Sequence, residues 1–465
     1  MQTPFDILSD LWTQAGGEAS ALDAVTLTGE EPQLPSSFRV AVAAQVSIAA
    51  AGLAAAEIGK LRSGKRQSVA VDMRHTVAEC RSERYLRVNG EPPPPAWDAI
   101  AGVYRTGDQR FVRLHTNFPH HRAAVCKVLN CKSEREAVQA ALMQWKGEAF
   151  ETAAYAAGGV VALMRSHDEW SELPQAKALA GLPPVIIEKI GDAPPRSWPA
   201  GERPLEGLRV LDLSRVIAGP VAGRALAAHG ADVMLVSGPD LPAIPWLTID
   251  TGRGKFSCLL DLKSDDGRAR FRELLAGADI FSQGYRPGAL SALGLSPEEA
   301  AGISPGIVAV SLSAYGHKGP WAIRRGFDSL VQTATGFNHA EGQAAGIDGP
   351  KELPAQMLDH ATGYLMAFGT IMAKARQARE GGSWHVRVSL AQTGRWLWDL
   401  GRLAGGLKTP DLPPDAVQPF MEESSSGFGP LRAVGHAAIL SKTPAFWSRP
   451  AMPLGSHPPE WPPRG

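Results

Sequence analysis

The stretch "GLRVLDLSRVIAGPVAGRALAAHGADVMLV", residues 207–236, limits the available folds more than any other part of the chain. "LRVLDLS" is a short, nearly continuous apolar run and reads as a strand. "RVIAGP" is its loop, "VAGRALAAHG" a helix closed by Gly230, and "ADVMLV" the next strand. Further on, "ADIFSQGY" and "GIVAVSLSAYG" repeat the strand pattern around a helix at "SPEEAAG". Strands alternating with helices imply a parallel sheet covered on both faces. In such sheets ligands collect beyond the carboxyl ends of the strands.

The first 200 residues read differently. "YRTGDQRFVRLHTN" predicts a hairpin, and "HRAAVCKVLN", "EREAVQAALMQW" and "EAFETAAYAAGG" predict helices, together a smaller α-rich unit with a little sheet. "GDAPPRSWPAGERPLEG", residues 191–207, reads as a linker. Beyond about Gly405 the chain turns rich in Pro and Ser and loses periodicity, as an extended tail would. The expected fold class is therefore α/β: a Rossmann-like parallel-sheet large domain plus a smaller α+β domain. Its expected parts are 1–80, 81–190, the linker 191–207, the large domain 208–405 and the tail 406–465.

Charge narrows the partners. Lys plus Arg and Asp plus Glu both total 47, so no global field favours nucleic acid or an anionic membrane. The alanine-rich "VAVAAQVSIAAAGLAAAEIG" is interrupted by Gln45 and ends in Glu57, which suits helix packing better than a bilayer span. Cys80, Cys126, Cys131 and Cys258 form neither a disulfide framework nor a zinc pattern. The start, "MQTPFDILSDLW", lacks the pattern of a secretory signal. The expectation is a soluble cytoplasmic protein whose partner is a small molecule or another protein, with no metal.

A faint internal echo runs through the chain. Residues 42–73 lie without gaps over residues 359–390, sharing the order helix, Arg, Gly turn, then V-x-V. Gly52 meets Gly369, Arg62 meets Arg379, Gly64 meets Gly381, and Val69 and Val71 meet Val386 and Val388. Chance similarity of two alanine-containing helices is the competing explanation. If the repeat is real, its chemical content is a contrast, because Asp359 falls opposite Val42.

Asp359 opens the apolar helix of "LDHATGYLMAFG". A carboxylate there can be a helix cap, or an ionised nucleophile for an activated acyl carbon. Asp328, in "RRGFDSLVQTATG", is either another cap or a second carboxylate near the same site. The loop "SRVIAGPVAGR" leads into a helix N-terminus suited to an anion, or is a packing turn; it lacks G-x-G-x-x-G, and Pro220 removes a donor. Arg253, Lys255, Lys263 and Arg286 stand beside strand ends and could hold phosphates, or be solvated charges. His115, His120 and His121 in "HTNFPHHR" have no Cys or acidic partner at ligand spacing and read as structural or surface groups.

Taken together, "GLRVLDLSRVIAGPVAGRALAAHGADVMLV", "RGKFSCLLDLKS", "GYRPGALSALGLSPEEAAGISPGIVAVSLSAYGHKGP" and "LDHATGYLMAFG…GGSWHVRVSL" resemble the class III CoA-transferases. The resemblance covers about residues 205–395. It implies a two-domain α/β fold, a homodimer of interlocked chains, and acyl-CoA and a carboxylic acid as substrates, with no cofactor beyond the CoA thioester itself. It assigns Asp359 as the catalytic carboxylate, with Asp328 beside it. It also maps CoA contacts to Ile217, Ala218, Lys263, Gly284, Tyr285, Arg286 and Arg325. In the implied mechanism Asp359 attacks the donor thioester, an acceptor carboxylate displaces the first acid, and CoA returns. The racemase branch of the family uses a Gly-His-Asp triplet; here the triplet is Gly326-Phe327-Asp328, which favours CoA transfer. A non-catalytic CoA-binding scaffold and an acyl-CoA isomerase are the other readings. The small-domain-like segment here precedes the sheet that it follows in the family, so the parts stand in a rearranged order, as fused partial copies.

Overall fold

The computed structural model describes residues 1–199 and 201–463. Its centre is a seven-stranded sheet ordered Lys255–Leu259, Asp232–Ser237, Arg209–Leu213, Ile280–Gln283, Val308–Ser313, Ser383–Ser389 and Val185–Gly191. Every neighbouring pair is parallel except the last. The sequence order reverses between Arg209–Leu213 and Ile280–Gln283, so the loops leaving these two strands diverge and open a crevice at their carboxyl ends. The expected strands and the helices Ala218–Ala228 and Pro297–Ile303 are all present.

A second unit folds around its own core of Val112, Leu114, Val125, Val138, Leu142 and Phe150. The hairpin Gly102–Arg105 and Phe111–Leu114 is extended by Val161–Leu163 and packed against Pro119–Leu129, Arg135–Leu142 and Gly147–Ala156. The strand Val185–Gly191 lies before the linker in the chain yet is hydrogen-bonded into the large sheet. The linker itself is held: Arg62 donates to the carbonyls of Pro199, Arg203, Pro204 and Glu206. The tail carries the hairpin Met421–Ser424 and Leu431–Val434 and a further strand, Ala438–Leu440.

Two 24-residue helices, Val40–Ser63 and Met357–Glu380, pack along one another through the centre of the molecule. The first is long and apolar enough to cross a bilayer, yet it is buried inside the protein along most of its length. Both stop at a glycine with positive φ, Gly64 at 71° and Gly381 at 70°, a conformation that costs glycine little. These helices start and end at positions that the sequence echo superposes. The strand after each is followed by a capped helix: Asp72 accepts from Arg74 N and His75 N, and its counterpart Ser389 accepts from Gln392 N.

Candidate active site

Ser214 to Ile217 link the strand Arg209–Leu213 to the helix Ala218–Ala228. Val216 in this loop has φ 75°, a left-handed conformation that is strained for a β-branched residue. The loop after Gln283 carries Gly284, Tyr285 and Arg286. Between them opens a cleft of about 540 Å³, within the range of small-molecule sites. Asp359 lies at its floor, and Val216, Ala218, Leu312, Ala314 and Leu390 supply apolar lining.

The helix bearing Asp359 reaches this floor because Gly363 allows it to press on the neighbouring helix. A Cβ at Gly363 would stand 2.6 Å from the Ala218 carbonyl and 2.9 Å from Val221 Cβ. Asp359 is in the first turn, and the helix is preceded by Gln356, which makes no side-chain cap. The carboxylate is therefore not a cap. It is 7% exposed, and that exposure faces the cleft.

Burial raises the Asp359 carboxyl well above the usual carboxylate range, and the nearby Asp328 and Glu83 carboxylates raise it further. The sequence argument expected the helix terminus to keep this group ionised; desolvation and two like charges outweigh that contribution. Asp328, 1% exposed, does not line the cleft. Its Oδ2 accepts the backbone N–H of Asp359 at 2.8 Å, and its Oδ1 accepts from Gln332. It is the first residue of the helix Asp328–Ala334, not its cap. Burial raises its carboxyl to about 6 against the lowering effect of those hydrogen bonds. On the other side of Asp359, His360 Nε2 lies 3.2 Å from Glu83 Oε2.

The rim is basic. Arg215, Lys263, Arg286 and Arg325 line the cleft, and among the described residues neither Arg286 nor Arg325 makes an ion pair. Lys263 is exposed, 3.7 Å from Asp240. Ala218, Gly284 and Tyr285 also line the cleft, whereas Ile217 precedes the helix and is buried beside it. Two basic residues considered from sequence are elsewhere: Arg253 pairs with Asp250 at 3.0 Å and Lys255 with Asp212 at 2.9 Å, all buried. They neutralise interior carboxylates and cannot reach a ligand.

Sequence reasoning expected the first 200 residues to act as scaffold and lid but did not identify the residues of one wall. Phe118, His120 and His121 come from the start of the helix Pro119–Leu129 and face the cleft. His115 stacks on Phe327 with ring centroids 3.8 Å apart, and His121 meets the same ring edge-on at 6.0 Å. Burial, then His120, Arg325 and Arg215, push the His121 imidazole down to about 3, so it is neutral at ordinary pH. Arg215, whose side chain stacks over Phe118 and donates to Pro242, was also missed; it follows the strand directly in "LSRV". The histidine cluster was visible only as a weak metal pattern, because nothing in the sequence tells which distant segment covers a cleft.

Comparison with known proteins finds similarity over the segment that carries this geometry. Residues 205–413 match the model of CoA-transferase family III. The chain is 36% identical over 183 residues to a succinyl-CoA:glutarate CoA-transferase of Homo sapiens, covering 37% of this chain and 41% of that one. It is 33% identical over 238 residues to an acetyl-coenzyme A transferase of Hypoxylon pulicicidum, covering 49% and 40%. It is 29% identical over 284 residues to a probable fatty acyl-CoA transferase of Mycobacterium tuberculosis, covering 56% and 71%. A crystal structure of the mycobacterial protein matches 43% of this chain and 56% of its own, at 32% identity and a TM-score of 0.40. The match thus spans about two fifths of the Hypoxylon and human relatives. The segment that carries every strand of the large sheet but Val185–Gly191, the basic rim and the Asp359 helix, residues 205–413, is similar to CoA-transferase family III.

Proposed function

We propose that this protein transfers CoA from an acyl-CoA to a carboxylic acid, with Asp359 as the nucleophile. One observation carries the reading: the carboxylate of Asp359 opens into a cleft whose rim presents Arg286 and Arg325, without ion-pair partners among the described residues. Free guanidinium groups at a cleft mouth suit the phosphates of CoA. The apolar lining between rim and floor suits a pantetheine arm.

Asp359, once ionised, attacks the thioester carbonyl; the C–S bond breaks, leaving a mixed anhydride and the CoA thiolate. The acceptor carboxylate attacks the aspartyl carbonyl of that anhydride, releases the first acid and forms a second anhydride. The thiolate then attacks the acceptor's acyl carbon, which restores the Asp359 carboxylate. A high carboxyl pKa strengthens the nucleophile when it is ionised, at the cost of a smaller ionised fraction near neutrality. Phe327, stacked on His115, cannot move a proton, which disfavours isomerisation at the α-carbon. We propose that the working protein is cytoplasmic and needs no cofactor beyond CoA.

Hydroxylamine added during incubation with an acyl-CoA tests this. The expected result for wild type is a hydroxamate at position 359 with loss of CoA exchange; Asp359→Asn is expected to give no hydroxamate and to show no exchange with or without hydroxylamine. Continued exchange by Asp359→Asn would overturn the assignment.

A further inference from the structure

A three-stranded sheet of Val25–Thr28, Val69–Asp72 and Ala438–Leu440 is a copy of one end of the large sheet, in matching register. In the large sheet, Val386, Arg387 and Val388 pair in parallel with Val310, Ser311 and Leu312. On the other side they pair antiparallel with Ile187, Ile186 and Val185. In the small sheet, the echo counterparts Val69, Ala70 and Val71 pair in parallel with Val25, Thr26 and Leu27. On their other side they pair antiparallel with Leu440, Ile439 and Ala438.

The glycines agree. A Cβ on Gly369 would lie 2.6 Å from Val185 Cγ1 and 2.8 Å from Val386 Cγ1. A Cβ on Gly52 would lie 2.7 Å from Ala438 Cβ and 3.4 Å from Val69 Cγ1, the counterparts of those two residues. Chance similarity of alanine-rich helices does not produce matched strand partners on both sides and matched close approaches.

Chain connectivity gives the duplication its consequence. The strand that closes the large sheet, Val185–Gly191, belongs to the half before the linker, and the strand that closes the small sheet, Ala438–Leu440, to the half after it. Each half therefore closes the other's sheet. The cleft is shared in the same way: Asp359 and the basic rim come from the second half, and Phe118 and His121 from the first. The counterpart of Asp359 is Val42, fully buried. Among the described residues the first half has no strands corresponding to Arg209–Leu213 and Ile280–Gln283, so no second crevice forms there.

We propose that the chain is an internal pair of strand-exchanged halves in which a single chain closes both sheets and completes one reactive cleft, its counterpart having been retired. Exchange between two chains would build the same contacts, and the held linker argues against it, since Arg62 of the first half binds the carbonyls of Pro199, Arg203, Pro204 and Glu206 by four hydrogen bonds.

Two arms test this, and the first needs no activity. In full-length protein carrying Ala70→Cys with Ile439→Cys, which are directly paired, a short thiol-bridging reagent is expected to give a cross-linked product of one chain's mass. A two-chain product, or no bridging between reactive thiols, would overturn the proposal. Arg387→Cys with Ile186→Cys repeats the arm at the other exchanged strand, should the first pair disturb folding. The second arm rests on the CoA-transfer reading. Asp359→Asn and the double variant Phe118→Asp/His121→Asp, co-expressed as separately tagged chains, are expected to show no more exchange than either alone. Recovery of exchange on co-expression would mean that clefts are built between chains. If wild-type protein shows no exchange at all, the function fails and the cross-linking arm still decides the architecture.

Discussion

Asp328 holds the helix of Asp359 by its backbone, accepting the Asp359 N–H at 2.8 Å from a side chain closed off from the cleft. The duplicate helix keeps the same device: Glu31 Oε1 accepts the N–H of Val42 at 3.3 Å. There is no nucleophile at Val42 to serve, so the contact is explained by fixing the first turn. Asp328 is thus a positioning residue whose charge also acts on its neighbour.

Asp328→Asn retains an acceptor for the Asp359 N–H and removes a like charge. Asp359 should then ionise more readily, moving the acid limb of the CoA-exchange pH profile down by roughly one unit. Asp328→Ala removes the same charge, so the limb should move likewise, but it also loses the acceptor and should lower kcat. An unmoved limb in Asp328→Asn would show that the two carboxyls do not interact.

The same carboxyl makes stability depend on pH. Its folded value, about 6, lies above the ordinary 3.8, so the folded state binds the proton more tightly. That contribution is fully present below the unfolded value and is lost as pH rises through about 6. Urea unfolding of wild type and Asp328→Asn at pH 4 and pH 7 should show the variant gaining relative to wild type at the higher pH.

Gly369→Ala and Gly52→Ala test the paired close approaches. Alanine favours a helix by about 1 kcal/mol over glycine. Overpacking against Val185 and Val386, or against Ala438, costs about 1–3 kcal/mol. A net loss is expected in both, read as a lower urea midpoint.

Val42→Asp does not restore the retired site. The new carboxylate would be fully enclosed near Glu31, which is already paired with Arg39 at 2.7 Å. The expected result is a loss of about 3 kcal/mol or more and no second hydroxylamine adduct.

Arg325→Ala should raise the KM for acyl-CoA about tenfold and change kcat little, because the guanidinium stands at the rim while the chemistry is at the floor. The KM of the variant should also respond less to salt.

The α/β core was legible because its strands are short apolar runs buried on both faces and its helices are bounded by turn residues, so each announces itself within a few residues. "LRVLDLS" and "VAGRALAAHG" needed no distant partner to be read. Asp359 was legible as a candidate for the same reason, since it stands at the start of an apolar helix. Its high pKa was not, because Asp328 and Glu83 are remote in sequence and only the fold brings them close. Arg253 and Lys255 misled for the converse reason: a basic residue near a strand end reads the same whether it meets a ligand or a buried Asp250 or Asp212. The wall of Phe118 and His121 belongs to a contact between segments on opposite sides of the linker, and local periodicity contains nothing about such contacts.

The exchanged strands also bear on how the protein is made. Residues 69–72 are synthesised long before the neighbour that covers their open side, Ala438–Leu440. Until then the nascent polypeptide carries an exposed ladder of unpaired amide and carbonyl groups, the kind of edge that recruits foreign strands. A ribosome stalled before Ala438–Leu440 should therefore leave a product prone to clumping.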